Sequence, residues 1–266
     1  MMCLRFSAKI PIISKIALNY IVSLSNEVII LRLQCKNGCC KWLINSCRIF
    51  KDNIKAYFCK MIHVQASVAT LPVMEAFYTI QGEGFHQGRA AYFIRLGGCN
   101  VGCFWCDVKE SWDADAHPKV AVGNILQNAK KENARLAVIT GGEPMMHNLN
   151  ELTTQLKEAG FETNVETSGA YPVTGIWDWI CVSPKKFKQP TTESLACANE
   201  LKVIIYNKND FAWAEKNAAM VNDQCRLYLQ PEWEKAPEMI PLIVDYIKAN
   251  PQWELSLQIN KYINVP

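Results

Sequence analysis

The chain is 266 residues long, 50% hydrophobic and 20% charged, with 13 Gly and 12 Pro spread along it, which excludes a disordered, collagen-like or low-complexity protein. A mean hydropathy of −0.04, with no uncharged apolar run of about 18 residues, argues against a spanning helix. The net charge of +3 and the 12 Cys average over two unlike stretches that meet at Met61.

Residues 1–60 hold ten Lys and Arg against only Glu27 and Asp52, and six Cys (Cys3, Cys35, Cys39, Cys40, Cys47 and Cys59), but a single Gly and a single Pro. They show no clean helical or alternating apolar period. The stretch reads as an N-terminal extension outside the fold, unstructured or translated upstream of a natural start at Met61. A targeting segment is the competing reading, but Lys15 interrupts the apolar run and no small-residue cleavage site follows Leu24. Residues 61–266 carry 18 basic against 23 acidic residues and read as one domain.

From residue 72 short β-rich runs alternate with helical pattern, the signature of βα units and a largely parallel sheet. Strands are predicted at 91–96, 136–140, 162–166, 179–183, 200–206 and 227–230. Amphipathic helices are predicted at 122–132, 149–159, 210–221 and 239–249, where apolar residues recur three and four apart. The expectation is an α/β fold, a partial, open βα barrel of about six parallel strands, since a closed eight-stranded barrel needs more chain. Polar and glycine-containing clusters follow the strands at 97–106, 141–144, 167–169, 183–185 and 230–232. In parallel α/β folds these carboxyl-end loops share one face and build the active site.

Cys99, Cys103 and Cys106 form a C-x3-C-x2-C motif on the loop after the first predicted strand. A structural zinc takes four closed ligands, usually from paired C-x2-C units, whereas three thiols leave one coordination position open. A disulfide is a poor reading, because a large core needs no staple and three thiols leave one over. The later Cys181 and Cys197 read as unpaired core or surface residues.

This loop resembles that of the radical S-adenosylmethionine enzymes, in which three thiolates hold three irons of a [4Fe-4S] cluster and S-adenosylmethionine takes the fourth. Gly141-Gly142-Glu143-Pro144, about 35 residues downstream, is similar to that superfamily's glycine-rich stretch, where missing side chains admit the methionine moiety.

Within the superfamily the chain resembles the 7-carboxy-7-deazaguanine synthase family from about residue 72 to its end. The blocks that carry the likeness are Glu75–Gly84, Phe93–Asn100, Thr140–Pro144, Glu166–Gly169, Ser183-Pro-Lys185, Glu200-Leu-Lys202 and the closing Leu255–Gln258, Lys261-Tyr and Pro266. The resemblance implies a carbon–nitrogen lyase that converts 6-carboxy-5,6,7,8-tetrahydropterin to 7-carboxy-7-deazaguanine with loss of ammonia, in 7-deazapurine and queuosine biosynthesis. It implies Cys99, Cys103 and Cys106 as cluster ligands. For substrate it points to Ile80, Gln81, Gly82, Glu83, Arg95, Thr140, Asn260 and the terminal carboxylate of Pro266. Arg95 suits a carboxylate, to which a guanidinium makes two parallel hydrogen bonds. For S-adenosylmethionine it points to Trp105, Asp107, Gly142, Glu143, Ser183, Lys185, Gln230 and Glu232, with Glu166 a further polar candidate.

The chain departs from that family's pattern twice. The usual Thr or Ser that meets a magnesium ion is replaced by Val108, which has no ligand oxygen. The usual Gln-Thr-His-Lys reads Gln258-Ile259-Asn260-Lys261, exchanging a titratable imidazole for an amide. The rival readings are a glycyl-radical activating enzyme, which would not explain Gln81-Gly82-Glu83 or the closing block, and a zinc-binding interaction protein using the basic N-terminus, which lacks paired zinc-finger spacing. The expected partners are a small pterin, a reducing electron donor such as flavodoxin or ferredoxin, and a second copy in a homodimer, with neither nucleic acid nor membrane. The expected compartment is a reducing cytoplasm, which keeps thiols available.

Overall fold

The computed structural model describes residues 69–266 and, as backbone alone, three strands nearer the N-terminus: β1 (Leu18–Leu24), β2 (Glu27–Lys36) and β3 (Cys39–Asn45). These pair as an antiparallel meander, with Ile21 opposite Ile30 and Leu33 opposite Trp42. The expectation of an unstructured stretch did not foresee these strands; β-branched runs such as Val28-Ile29-Ile30 favour extended backbone even without strict alternation. They belong to a compact unit, Met1–Ala66, separate from Ser67–Pro266.

The second unit opens with β4 (Thr70–Ile80) and β5 (Ala90–Leu96), followed by the short β6 (Lys119–Ala121) and helix α1 (Val122–Ala129). Then come β7 (Leu136–Gly141), α2 (Asn150–Glu158), β8 (Glu162–Thr167), β9 (Trp179–Val182) and α3 (Thr192–Ala196). The chain ends with β10 (Glu200–Ile205), α4 (Asp210–Ala218), β11 (Arg226–Pro231), α5 (Ala236–Ala249), β12 (Trp253–Leu255) and α6 (Ile259–Tyr262). One nine-stranded sheet runs β12-β11-β10-β9-β8-β7-β5-β4-β6. The seven strands from β5 to β12 are parallel, while β4 and β6 add an antiparallel edge. The sheet does not close, so the fold is the open partial barrel expected.

All six predicted parallel strands and all four helices form. Five elements of this unit were not foreseen: β4, the three-residue β6 and β12, the four-residue α6, and α3, whose N-cap Thr191 accepts a hydrogen bond from the Ser194 amide at 3.1 Å. Helix α5 begins three residues earlier than expected because Pro237 stands in its first turn, where a missing N–H costs nothing.

Strand alternation divides the molecule. On β10, Leu201, Val203 and Ile205 are fully buried against Ala214 of α4 and Met239 and Ile243 of α5. On β5, Tyr92, Ile94 and Leu96 join Val122 and Ile125 of α1 with Leu152 and Leu156 of α2. Each such aliphatic side chain contributes roughly 1.5–3 kcal/mol on burial. The opposite face, one residue out of step, carries Phe93 and Arg95, Val138 and Thr140, Glu166, Lys202 and Ile204, and Gln230. That inner face is where polar side chains collect.

Candidate active site

The carboxyl ends of the parallel strands surround a cavity of about 410 Å³. Its wall includes every residue expected from the sequence: Cys99, Cys103 and Cys106, then Ile80, Gln81, Gly82, Glu83, Arg95, Thr140, Asn260 and Pro266, then Trp105, Asp107, Gly142, Glu143, Glu166, Ser183, Lys185, Gln230 and Glu232. Five carboxyl-end loops and the closing segment meet there.

The cysteine loop is shaped chiefly by backbone. Gly98 donates to Ser111 O at 2.7 Å, Cys99 to Trp112 O at 3.0 Å and Glu143 to Gly98 O at 2.8 Å. Gly98 has φ +106° and Gly102 φ +78°, a region that L side chains rarely enter. A Cβ on Gly142 would strike Gly98 O and lie 2.8 Å from Cys99 Cβ, so the two loops touch only because that side chain is missing. Glu143 braces the contact from beneath: it is 1% exposed, and its carboxylate accepts from the Met145 amide at 3.0 Å, Thr167 Oγ1 at 2.6 Å, the Ser168 amide at 2.8 Å and Ser168 Oγ. Its carboxylate oxygens are thus engaged within the protein.

The three thiols are free and line one cavity. Burial raises the Cys99 thiol, and pushes Cys103 up to about 11 against the pull of Lys185. Among the described residues no three His, Cys, Asp or Glu side chains converge as ligands of one ion; four zinc ligands at 2.3 Å would bring sulfurs within about 3.8 Å of each other. Each thiolate of a cluster meets its own iron, so three free thiols on one cavity wall fit that group. Lys185 donates to Ser183 O at 2.7 Å and Ser183 Oγ at 2.6 Å, with its ammonium 5.8 Å from the Trp105 ring. Burial lowers its pKa.

The opposite wall is built from side chains far apart in sequence. Lys202, 3% exposed, forms an ion pair with Glu83 and lies 3.8 Å from Glu166 Oε2. Gln81 Nε2 donates to Glu166 Oε1 at 2.8 Å, and Gln81 Oε1 accepts from the Glu83 amide at 3.0 Å. Gln258 Nε2 reaches Glu83 Oε1 at 2.8 Å, and Ser256 Oγ joins Gln230 Oε1 at 2.7 Å to the Gly84 amide at 3.0 Å. The closing segment docks on the same turn: Ile259 N donates to Gly82 O at 3.0 Å, and a Cβ on Gly82 would collide with Asn260. Thr79 Oγ1 donates to Pro266 O at 3.3 Å. Burial would raise the Glu83 carboxyl, but the Lys202 charge, with hydrogen bonds from Lys202 and Gln258, outweighs it and holds the group below its ordinary value. Arg95 donates from Nε to Glu75 at 2.6 Å and makes no other ion pair among the described residues.

Residues 93–180 match the Radical SAM superfamily. The chain is 58% identical over 196 residues to the 7-carboxy-7-deazaguanine synthase of Flavobacterium psychrophilum, covering 74% of this chain and 93% of that protein. The chain belongs to the 7-carboxy-7-deazaguanine synthase family. The synthase of Escherichia coli K12 is 36% identical, covering 73% of this chain and 98% of its own length. The crystal structure of QueE from Escherichia coli superposes with a TM-score of 0.65 at 32% identity, covering 71% of this chain and 93% of that one. Membership in the 7-carboxy-7-deazaguanine synthase family brings a [4Fe-4S] cluster and S-adenosylmethionine, and the thiol wall and Gly142 cradle fit both.

Magnesium does not fit in the same way. Val108 offers no oxygen from its side chain, and neighbouring Asp107 accepts from Lys261 Nζ at 2.8 Å and faces Gln258 Nε2 at 3.5 Å. Burial favours the protonated Asp107 carboxyl, yet Lys261 and Gln258 hold it below its ordinary value. Lys202, Gln258 and Lys261 are wall residues to which the sequence assigned no role. A charged residue in step with Ile204 on the inner face of a buried strand was the available signal for Lys202; the other two lie in the closing block.

Proposed function

We propose that the chain converts 6-carboxy-5,6,7,8-tetrahydropterin to 7-carboxy-7-deazaguanine with loss of ammonia, as a carbon–nitrogen lyase of 7-deazapurine and queuosine biosynthesis. The observation that carries this reading is the single cavity in which the three thiols face the Gln81–Glu83 turn and the closing segment. When bound, the reduced cluster and S-adenosylmethionine supply the radical that starts the reaction. Arg95 takes the substrate carboxylate, its Nε held by Glu75 so that the guanidinium keeps one orientation. Gln81, Glu83 and Thr140, with the backbone of Ile80 and Gly82, hold the pterin ring, while Asn260 and Pro266 flank it. Trp105, Asp107, Gly142, Ser183, Lys185, Gln230 and Glu232 surround the sulfonium cofactor, and Glu166 spans the two halves. Glu143 serves by bracing the loop.

The six thiols of residues 69–266 are free, which suits a reducing cytoplasm, and no helix among the described residues is long and apolar enough to cross a membrane. A flavodoxin- or ferredoxin-like donor would reduce the cluster; a homodimer rests on resemblance alone. The position of Val108 favours turnover without a resident magnesium ion. The catalytic domain is residues 61–266, so a chain beginning at Met61 is expected to turn over like the full one, and a large loss would refute that boundary.

The decisive assay incubates the anaerobically reconstituted, reduced protein with S-adenosylmethionine and carboxytetrahydropterin, with and without magnesium. Deazapurine at equal rates in both supports the reading. Deoxyadenosine without deazapurine would leave the superfamily standing and remove the reaction.

A further inference from the structure

Lys202 is an isolated cation on the inner face of β10, two residues from Glu200 and two from Ile204, and it is the hub of the substrate wall. Two carboxylates from different elements converge on it: Glu83 from the turn between β4 and β5, and Glu166 from the end of β8. The other titratable groups facing it are Cys181 on β9, Lys185 beyond β9 and Glu200 on its own strand. Glu200 is already committed, accepting from the Trp179 indole at 2.8 Å and the Phe85 amide at 3.2 Å.

We propose that Lys202 is a positioning residue that keeps Glu83 and Glu166 ionised side by side, so that both present only acceptors to the donor edge of the pterin. This inference rests on the pterin reading above. A pterin offers an N3–H and a 2-amino group next to each other, and an ionised carboxylate meets such a pair with two oxygens. Two desolvated carboxylates sharing one cavity without a cation do not both stay charged: one takes a proton and turns an acceptor into a donor. The hydrogen bonds of Gln81 to Glu166 and Gln258 to Glu83 use Oε1 of each carboxylate, and Lys202 faces Oε2 of both. Burial opposes the Lys202 charge most strongly, and Glu166 and Glu83 overcome it; Lys202 in turn holds Glu83 below its ordinary value.

The test measures kcat/KM for carboxytetrahydropterin from about pH 6 to about pH 9 in wild type and K202M, with S-adenosylmethionine affinity and cluster absorbance read on the same samples. Wild type is expected to show no ionisation of this wall in that range. K202M is expected to lose about 10–100-fold near neutral pH, mainly through KM, and to recover as pH rises, with cofactor affinity unchanged. A second variant, K202M/E166Q, removes one of the two opposed charges. It is expected to melt at a higher temperature than K202M and to lose the new pH dependence. A K202M profile parallel to wild type, or a double variant no more stable than K202M, overturns the inference. If K202M does not fold, a folded double variant supports it and an unfolded one overturns it. Wild-type enzyme that makes no deazapurine removes the pterin reading itself, whereas active wild type beside an unaltered K202M profile removes only the role of Lys202.

Discussion

The two walls of the cavity are built by different physics. The thiol wall is local: residues 97–107 and 141–145 are held by backbone hydrogen bonds and by glycines that let two loops touch. The opposite wall, where we place the substrate, is non-local: Gln81, Glu83, Glu166, Lys202, Gln230, Ser256 and Gln258 come from separate segments and are joined by side-chain hydrogen bonds and ion pairs. A local wall fails when one ligand or one glycine changes. A network fails in proportion to the charge it loses, and its failure depends on pH.

The largest expected effect breaks the thiol wall. C103A should abolish iron–sulfur absorbance and reduce turnover by at least about 1,000-fold, while the apoprotein melts near wild type, because Cys103 makes no disulfide. G142A should follow: its Cβ would meet Gly98 O, a backbone atom that cannot swing aside. A destabilisation of about 1–3 kcal/mol is expected, read by denaturant unfolding, together with weaker S-adenosylmethionine binding.

On the other wall, E83Q removes a charged partner of Lys202, which should cost about 2 kcal/mol of stability. The sign with pH follows from the shifts. Glu83 sits below its ordinary 4.5 and Lys202 above its ordinary 10.5. The stabilisation from Glu83 is therefore complete above about pH 5 and is lost as pH falls through its depressed value; that from Lys202 is complete below about pH 10. The melting gap between wild type and E83Q should be constant from about pH 6 to about pH 9 and close in acid. S256A, which drops the link between Gln230 and the Gly84 amide, should cost only about 1 kcal/mol and shift KM for the pterin slightly.

The same division explains what could be read in the sequence. The C-x3-C-x2-C loop, the Gly141-Gly142 turn and six of the seven parallel strands are contiguous patterns, so spacing and period located them. Short β6 and β12 lie below the length at which period can be seen, and α3 is a single capped turn. Among the wall residues, Lys202 stayed without a role because its meaning depends on Glu83, 119 positions away, and no local pattern records that pairing. Glu143 was expected among the cofactor residues by resemblance; it lines the cavity, and its carboxylate accepts from Thr167 and Ser168, an orientation that an acidic residue after two glycines does not reveal in sequence. The β-rich stretch before residue 60 lacked strict alternation, and three strands form there nonetheless.

The measurement that separates the two walls most directly is a side-by-side titration of reconstituted E83Q and wild type. It compares cluster absorbance, S-adenosylmethionine affinity and the KM for carboxytetrahydropterin. If the walls divide the work as described, E83Q keeps the cluster and the cofactor affinity, and only the pterin KM rises, by about 10–100-fold. An E83Q enzyme that loses cluster or cofactor affinity while its pterin KM stays unchanged would contradict that division.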